Sequence, residues 1–410
     1  MTSLPGSGSV GLSEAEDLMS AGNSEAAVAI LLNIVEREAD SQALFMLASS
    51  YLELGNYDEA LRHASFAVEA EPSSAPARGL LAKVNLAVGD YVSALADYDA
   101  IAALCHEQRP IPPEQYSIPA HFALRNLEQL EHILAENRDE RGSTRAVPEQ
   151  LHGLHRNLTD VIDNANGDAP WVSVNGRSSK ILADPPFAKV PEEKLPSYLN
   201  PDVDYQPIRQ AISSGQLKAE VIDDFLNSAA LEQVRKFCLE STVWRHPYKF
   251  GYVGAFPQDG FASTSLFAVA EELESALGEA FDGYHLAQWW AFEYDARLPG
   301  TDIHGDDADF SLNLWITPDS ANLDPPSGGL VVWDKTAPSD WSFDDYNSGG
   351  ERVREYLRDT NAESTVIPYR ENRAVLFKGH LFHRTDDFTF APGFVNRRRS
   401  VTFLFRRSKR

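Results

Sequence analysis

His304 and Asp306, in "TDIHGDDADF", and His383, in "VLFKGHLFHRTD", are the residues of this 410-residue chain whose types and spacing could do chemistry. An imidazole and a carboxylate two positions apart on an extended segment project from one face, so both can reach a single ion. A second imidazole from a distant strand completes a set of two neutral nitrogens and one carboxylate. That set leaves about three positions of an octahedron open, the arrangement suited to iron(II) and oxygen chemistry. Zinc with a bound water is the rival occupant. An isolated His-x-Asp reads as a solvated turn, so its company decides.

The company is "NRRRSVTFLF", near the end of the chain. In a strand Arg398 and Ser400 point one way and Arg397 and Arg399 the other. A basic run by itself reads as a solvated face. With Arg398 and Ser400 turned into a barrel it reads as an anion clamp, because a buried guanidinium needs an anion and its fork matches a carboxylate. The five-carbon diacid 2-oxoglutarate meets that need at one end and can chelate an ion at the other.

Taken together, His304, Asp306, His383, Arg398 and Ser400 resemble the iron(II)- and 2-oxoglutarate-dependent dioxygenases, in their prolyl-hydroxylase-like branch, over roughly residues 218 to 407. The resemblance implies that His304, Asp306 and His383 hold iron, and that Arg398, in its R-x-S setting, binds the far carboxylate of 2-oxoglutarate. It implies a cosubstrate contact for Tyr294, ten residues before His304. It favours His383 over His380 as the distal ligand, since His383 follows Phe377 by the six residues usual in the family. Fe(II), 2-oxoglutarate and O2 are the implied cofactor and cosubstrates, and C–H hydroxylation with release of succinate and CO2 is the implied reaction. Retention of Asp306 argues against halogenation, because related halogenases lack that carboxylate. His246 and His285 have no such company and read as structural or surface residues.

These side chains need a scaffold. Strand-like runs occur at "LAQWWAFEY", "FSLNLWITP", "GLVVWD", "STVIPY", "RAVLFKG" and "RRSVTFLFR", separated by Gly, Pro and Asp turns. They describe a closed, double-sheet core of jelly-roll type. A helix is expected in "FLNSAALEQVRKFCLES", capped by Asn227 or Ser228, and another over roughly 265 to 281. Residues 318 to 363 read as a long insertion of the kind that acts as a lid. There Trp333, Trp341 and Tyr346 are expected to pin the loop rather than line a substrate groove. Asp307 and Asp309 read as loop residues, with recognition of a basic group as the functional alternative.

Upstream, residues 12 to 104 repeat at a spacing of 34: Gly55 recurs as Gly89, Tyr57 as Tyr91, Ala60 as Ala94 and Ala48 as Ala82. Small residues suit closely paired helices, and the glycines suit the turns between them. "LASSYLELGNYDEALRHASFAVEAEP" and "LAKVNLAVGDYVSALADYDAI" resemble tetratricopeptide repeats, the second departing at Asn85 where the pattern prefers Tyr. A weaker copy begins at Gly22. About two and a half repeats are marginal for a solenoid, so the helical stretch 114 to 164 is expected to support them.

The expected architecture is therefore α+β. Helical tetratricopeptide-like repeats occupy 1–168, an extended linker 169–215, and a double-stranded β-helix (jelly-roll) core with flanking helices 216–410. The substrate is expected to be a peptide, a protein or an amino-acid-like molecule captured by the repeats. The alternative is a small metabolite, with the repeats serving partner docking or a homodimer; a non-catalytic adaptor would need a dead metal site.

A net charge of −25, from 61 acidic and 36 basic residues, opposes nucleic-acid and anionic-membrane binding. Cys105 and Cys238 are the only cysteines and offer neither a disulfide framework nor a thiolate metal site. The opening residues lack a basic and an apolar signal region, and no run of about 18 apolar residues occurs. A cytoplasmic location is the expectation.

Overall fold

A computed structural model of the chain describes residues 7–37, 40–107, 115–137, 149–163, 170–175, 187–249, 251–295, 300–347 and 350–408. The chain divides into two compact units: residues 1–107 with 282–287 and 406–410, and residues 108–281 with 288–405.

The first unit holds α1 (Ser7–Ser20), α2 (Ser24–Val35), α3 (Ser41–Glu53), α4 (Tyr57–Ala70), α5 (Ala75–Ala87) and α6 (Tyr91–Glu107). They pack as α1 with α2, α3 with α4 and α5 with α6. Each pair turns on a glycine with φ of 74° (Gly22), 74° (Gly55) or 78° (Gly89), a left-handed conformation that other residues adopt at a cost. Asn23 and Asn56 cap α2 and α4 by accepting from the amides of Ala26 and Glu59. The repeated alanines Ala48, Ala60, Ala82 and Ala94 are fully buried. The weaker copy at Gly22 is thus a complete pair, because α1 supplies the helix that the sequence pattern left out. Asn85, off-pattern, is buried and donates to Asp97 at 2.9 Å.

The second unit is built on two antiparallel sheets. One runs β3 (Ala219–Ile222), β10 (Ala374–Lys378), β7 (Phe310–Trp315), β12 (Arg398–Arg407), β6 (Tyr284–Tyr294), β5 (Tyr252–Ala255) and β4 (Trp244–Pro247); the other runs β11 (Leu381–Thr385), β8 (Leu330–Thr336) and β9 (Ser364–Ile367). From β6 onward the chain passes back and forth between them, and His304 bridges to His383 on the smaller sheet. That is the winding of a double-stranded β-helix. Trp315, Val375 and Phe377 of the large sheet pack with Leu330, Val332, Ile367 and Leu381 of the small one to form the core between them. The same unit holds α9 (Gln206–Ser213), α10 (Ser228–Glu240) and α11 (Thr264–Leu277), whose Phe267 meets Trp289 of β6 edge-on at 4.8 Å. Asn227 is the cap of α10, accepting from Ala230.

Residues 318–363 are more structured than a loop insertion: they contain β8, α12 (Phe343–Asn347) and α13 (Gly350–Asp359). Val353 and Leu357 on one face of α13 bury against Ile303 and Phe382, with Trp333, Trp341 and Tyr346 packed around them. Trp341 also lies under the guanidinium of Arg352 at 4.3 Å. These aromatics pin the segment, and charged residues dominating α13 conceal its apolar stripe in the sequence.

The hairpin strands β1 (Gln115–Pro119) and β2 (Trp171–Asn175) and helices α7 (Ala120–Glu136) and α8 (Glu149–Asp163), which the sequence grouped with the repeats or the connector, count with the second unit. Leu127, Leu130, Leu154 and Leu158 form their shared core with Val172 and Val174. Arg125 gives the physical reason for the grouping: it is fully buried on α7 and donates to Glu293 of β6 at 3.1 Å. Among the described residues no helix is long and apolar enough to cross a membrane.

Candidate active site

The His-x-Asp segment is laid directly along β11. The amide of His304 donates to the carbonyl of His383 at 3.0 Å, that of His383 returns the bond at 2.8 Å, and the amide of Asp306 donates to Gly379 at 2.8 Å. This pairing joins residues far apart in sequence and brings one ligand atom from each of His304, Asp306 and His383 within 4.8 Å of one another. They are the one such group found among the described residues.

The side chains are preset for a cation. His304 Nδ1 lies 2.7 Å from the carbonyl of Asp302, and His383 Nδ1 lies 2.9 Å from that of Leu381. A carbonyl only accepts, so each Nδ1 carries a proton, and in the neutral ring each Nε2 offers its lone pair. Those Nε2 atoms stand 3.7 and 3.5 Å from the Asp306 carboxylate, too far for good hydrogen bonds and suited to an ion between them. Ser311 holds the carboxylate from behind, donating to Oδ2 at 2.6 Å. Burial, opposed by Asp306 and reinforced by His304, pushes His383 down to about 4, so it is neutral near pH 7. His380 sits exposed in the turn between β10 and β11 and is not in the cluster.

The cavity beside the cluster holds about 40 Å³ of water-accessible space and is also lined by Tyr294, Asn313, Trp315, Thr385, Arg398 and Ser400. Arg398 is 2% exposed. Its Nε donates to the carbonyl of Gly328 at 2.6 Å and its Nη2 to that of Gly329 at 3.1 Å. Those two carbonyls are available because Gly328 has φ of 86° and a Cβ on Gly329 would fall 1.9 Å from the Ile367 carbonyl oxygen. Rings of Tyr294 and Trp315 cover the guanidinium at 4.9 and 5.8 Å. Its Nη1 is buried with no partner. Burial lowers the pKa of this cation, opposed by Tyr294, Tyr369 and the carboxylate of Asp386, and no carboxylate among the described residues comes within ion-pair distance of it. The free donors of this guanidinium suit an anion, since an unpaired buried charge is a net cost.

Tyr294, 3% exposed, places its hydroxyl 2.8 Å from Thr301 Oγ1 and accepts from Thr385 at 3.3 Å. Ser400 lies opposite Trp315, and Thr402 opposite Asn313, to whose Oδ1 it donates at 2.6 Å. Sequence reading missed Ser311, Asn313 and Trp315, which alternate along one face of β7; the period-two pattern with polar members inside a buried strand was the available signal. It also missed the opposite face of β12. Arg397 and Arg399 are 9% and 2% exposed, not solvated, because Glu293, Glu128 and backbone carbonyls accept their hydrogen bonds.

His246 pairs with Asp259 at 2.6 Å and His285 lies 2.9 Å from Ser408, both outside the cavity. Asp307 lines a larger outer chamber of about 560 Å³, whose wall carries Tyr248, Tyr252, Phe256, Trp290 and Phe292. Asp309 serves the backbone instead: its amide donates to Phe405 and its carbonyl accepts from Gly379.

A tetratricopeptide repeat family model matches residues 12–61 and 45–108. The helical pairs of the first unit are tetratricopeptide repeats. No curated protein matches the chain. Among solved structures, the TPR2B domain of yeast Sti1 in its pHsp70 complex is 22% identical, covering 25% of this chain and 82% of that one, with a TM-score of 0.24. The non-haem alpha-ketoglutarate-dependent epimerase SnoN from nogalamycin biosynthesis is 13% identical, covering 50% of this chain and 84% of that one, TM-score 0.36. EctD from S. alaskensis, crystallised with 2-oxoglutarate and 5-hydroxyectoine, is 12% identical, covering 54% and 84%, TM-score 0.34. Identities under 25% and TM-scores under 0.5 leave the functional reading to the site's own geometry.

Proposed function

We propose that the chain is an iron(II)- and 2-oxoglutarate-dependent oxygenase, with His304, Asp306 and His383 as metal ligands and Arg398 as the cation for the far carboxylate of 2-oxoglutarate. The observation that carries this reading is the unpartnered Nη1 of buried Arg398, which lines the same cavity as the three ligand side chains. A metal alone would leave that guanidinium unexplained; a diacid that reaches both accounts for it. Ser400 and Tyr294 stand beside Arg398 as its companions in that contact.

Bound iron would supply activation of dioxygen coupled to decarboxylation of 2-oxoglutarate to succinate and CO2. The chain's own contribution is preorganisation. Carbonyls of Asp302 and Leu381 fix both imidazole tautomers, Ser311 orients the Asp306 carboxylate, and the Gly328 and Gly329 carbonyls hold the Arg398 fork with its Nη1 amino group left to give. The rings of Tyr294 and Trp315 keep water from the guanidinium, which strengthens its pull on an anion. The expected outcome is hydroxylation of an unactivated C–H bond.

For the substrate, the repeats support a peptide, protein or amino-acid-like molecule, since such arrays present surfaces for chain segments. The outer chamber supports the alternative, a free metabolite, with the repeats docking a partner or a second copy. Incubating the protein with Fe(II), 2-oxoglutarate and a cell extract under labelled dioxygen tests both levels. Succinate release with one labelled oxygen in a peptide supports the first substrate reading, and a labelled small molecule supports the second. Absence of succinate with every extract sinks the enzyme reading.

A further inference from the structure

We infer that the ion network of Arg125, Glu293, Arg399, Arg397 and Glu128, on the sides of β6 and β12 turned away from the cavity, positions Tyr294 and Arg398 for 2-oxoglutarate. This inference rests on the reading of Arg398 proposed above.

The network is built around one buried carboxylate. Glu293 is 1% exposed and accepts from Arg125 Nε at 3.1 Å, from Arg125 Nη2 at 3.3 Å and from Arg399 Nε at 2.8 Å. Arg397 approaches the same carboxylate at 3.7 Å and donates to Glu128 at 3.1 and 2.8 Å through Nε and Nη2. Asp295 lies 3.9 Å from Arg397. Three guanidiniums therefore face three carboxylates, and this side of the sheet needs no further ion. Gln129, one turn along α7 from Arg125, donates to the carbonyls of Leu239 and Ser241, both at 2.9 Å, and anchors the helix that carries Arg125 and Glu128.

Strand alternation turns this into control of the cavity. Arg397 and Arg399 flank Arg398 in sequence, and Glu293 precedes Tyr294, so fixing the first set fixes the backbone from which the second set projects. Inside the cavity Arg398 is held by two carbonyls, by Tyr294 and by ring faces, with no ion pair. Apolar residues of equal volume would stabilise the buried layer as well as six charges do. What the charges add is one register and one strand rotation, which a two-ended diacid requires. Arg125, Glu128 and Glu293 are positioning residues; none lines the cavity.

The test is the affinity of the full-length, Mn(II)-loaded protein for 2-oxoglutarate, read by calorimetry, beside its affinity for Mn(II). Arg125→Met is expected to weaken 2-oxoglutarate about tenfold, and Glu128→Gln about threefold, with Mn(II) affinity within about twofold of the parent and Arg125→Lys recovering part of the loss. Glu128 is at the rim, so its variant remains informative if Arg125→Met does not fold. Unchanged 2-oxoglutarate affinity in folded variants overturns the inference, as does a parallel fall in both affinities, which marks a purely structural role. If the parent protein itself binds no 2-oxoglutarate, the proposed function fails, a different result from failure of the network.

Discussion

Arg398 and Arg399 are neighbours on one strand, each 2% exposed, and their surroundings differ in a single respect. Arg399 has a carboxylate: its Nε meets Glu293 at 2.8 Å and its remaining donors reach carbonyls of Phe394, Val395 and Arg397. Arg398 has carbonyls, ring faces and a spare Nη1, with no described carboxylate as partner. Burial costs both cations alike, so the difference is one of purpose. A guanidinium paired from within the chain needs no ligand, whereas one without an ion-pair partner beside a cluster that could hold a metal fits the proposed role of binding an anion.

The comparison can be broken in several places. Removing the metal side altogether has the largest effect: Asp306→Ala is expected to take Mn(II) affinity and succinate formation to background, a greater loss than the roughly 100-fold that supporting residues cost. Retained metal affinity in that variant would remove the cluster from the account.

The two arginines are then expected to part company. Arg398→Met should weaken 2-oxoglutarate by about 100-fold, in line with about 3 kcal/mol for truncating one partner of a buried charged pair, while the ligand-free protein melts no lower than the parent. Arg399→Met should instead lower stability by about 3 kcal/mol because Glu293 loses a partner, and weaken 2-oxoglutarate only about tenfold, the loss expected of the positioning network. Melting curves and calorimetry on both variants, with and without 2-oxoglutarate, decide it; matching profiles would erase the distinction.

Ser311→Ala is a milder probe, expected to cost about tenfold in metal affinity with the fold intact, since Asp306 keeps its backbone bond to Gly379.

Acid titration of the metal-free protein should reveal the same contrast more faintly. His383 is depressed from 6.5 to about 4 by burial, so its contribution to stability is full above 6.5 and declines as pH falls towards 4. Burial would raise Glu293, yet Arg125, Arg399 and Arg397 together hold it down to about 2. Its contribution is full above 4.5 and fades as pH falls towards 2. Glu293→Gln should remove the lower limb of the acid-unfolding curve and leave the upper; denaturant midpoints across pH check this.

Much of this was legible in the sequence because alternation and repetition are strong signals. The His-x-Asp spacing, the R-x-S strand and the 34-residue repeat each survive without tertiary context, and the structure brings His304, Asp306 and His383 together in one cluster. What was not legible depends on partners distant in sequence. Arg399 reads as solvated until Glu293 is beside it, and Arg125 is one more helix arginine until it reaches β6. Apart from the strand-like run at β8, residues 318–363 look like a loop because α13 is short and carries its apolar residues among charged ones. His383 was placed by its neighbours in sequence, but its tautomer required the Leu381 carbonyl to be seen.

Calorimetric titration of 2-oxoglutarate into the parent protein and Arg398→Met, each with and without Mn(II), tests the central claim most directly. The account predicts binding that needs both the metal and Arg398, and that is lost when either is absent. Equal binding by the two proteins, or binding indifferent to the metal, would contradict it.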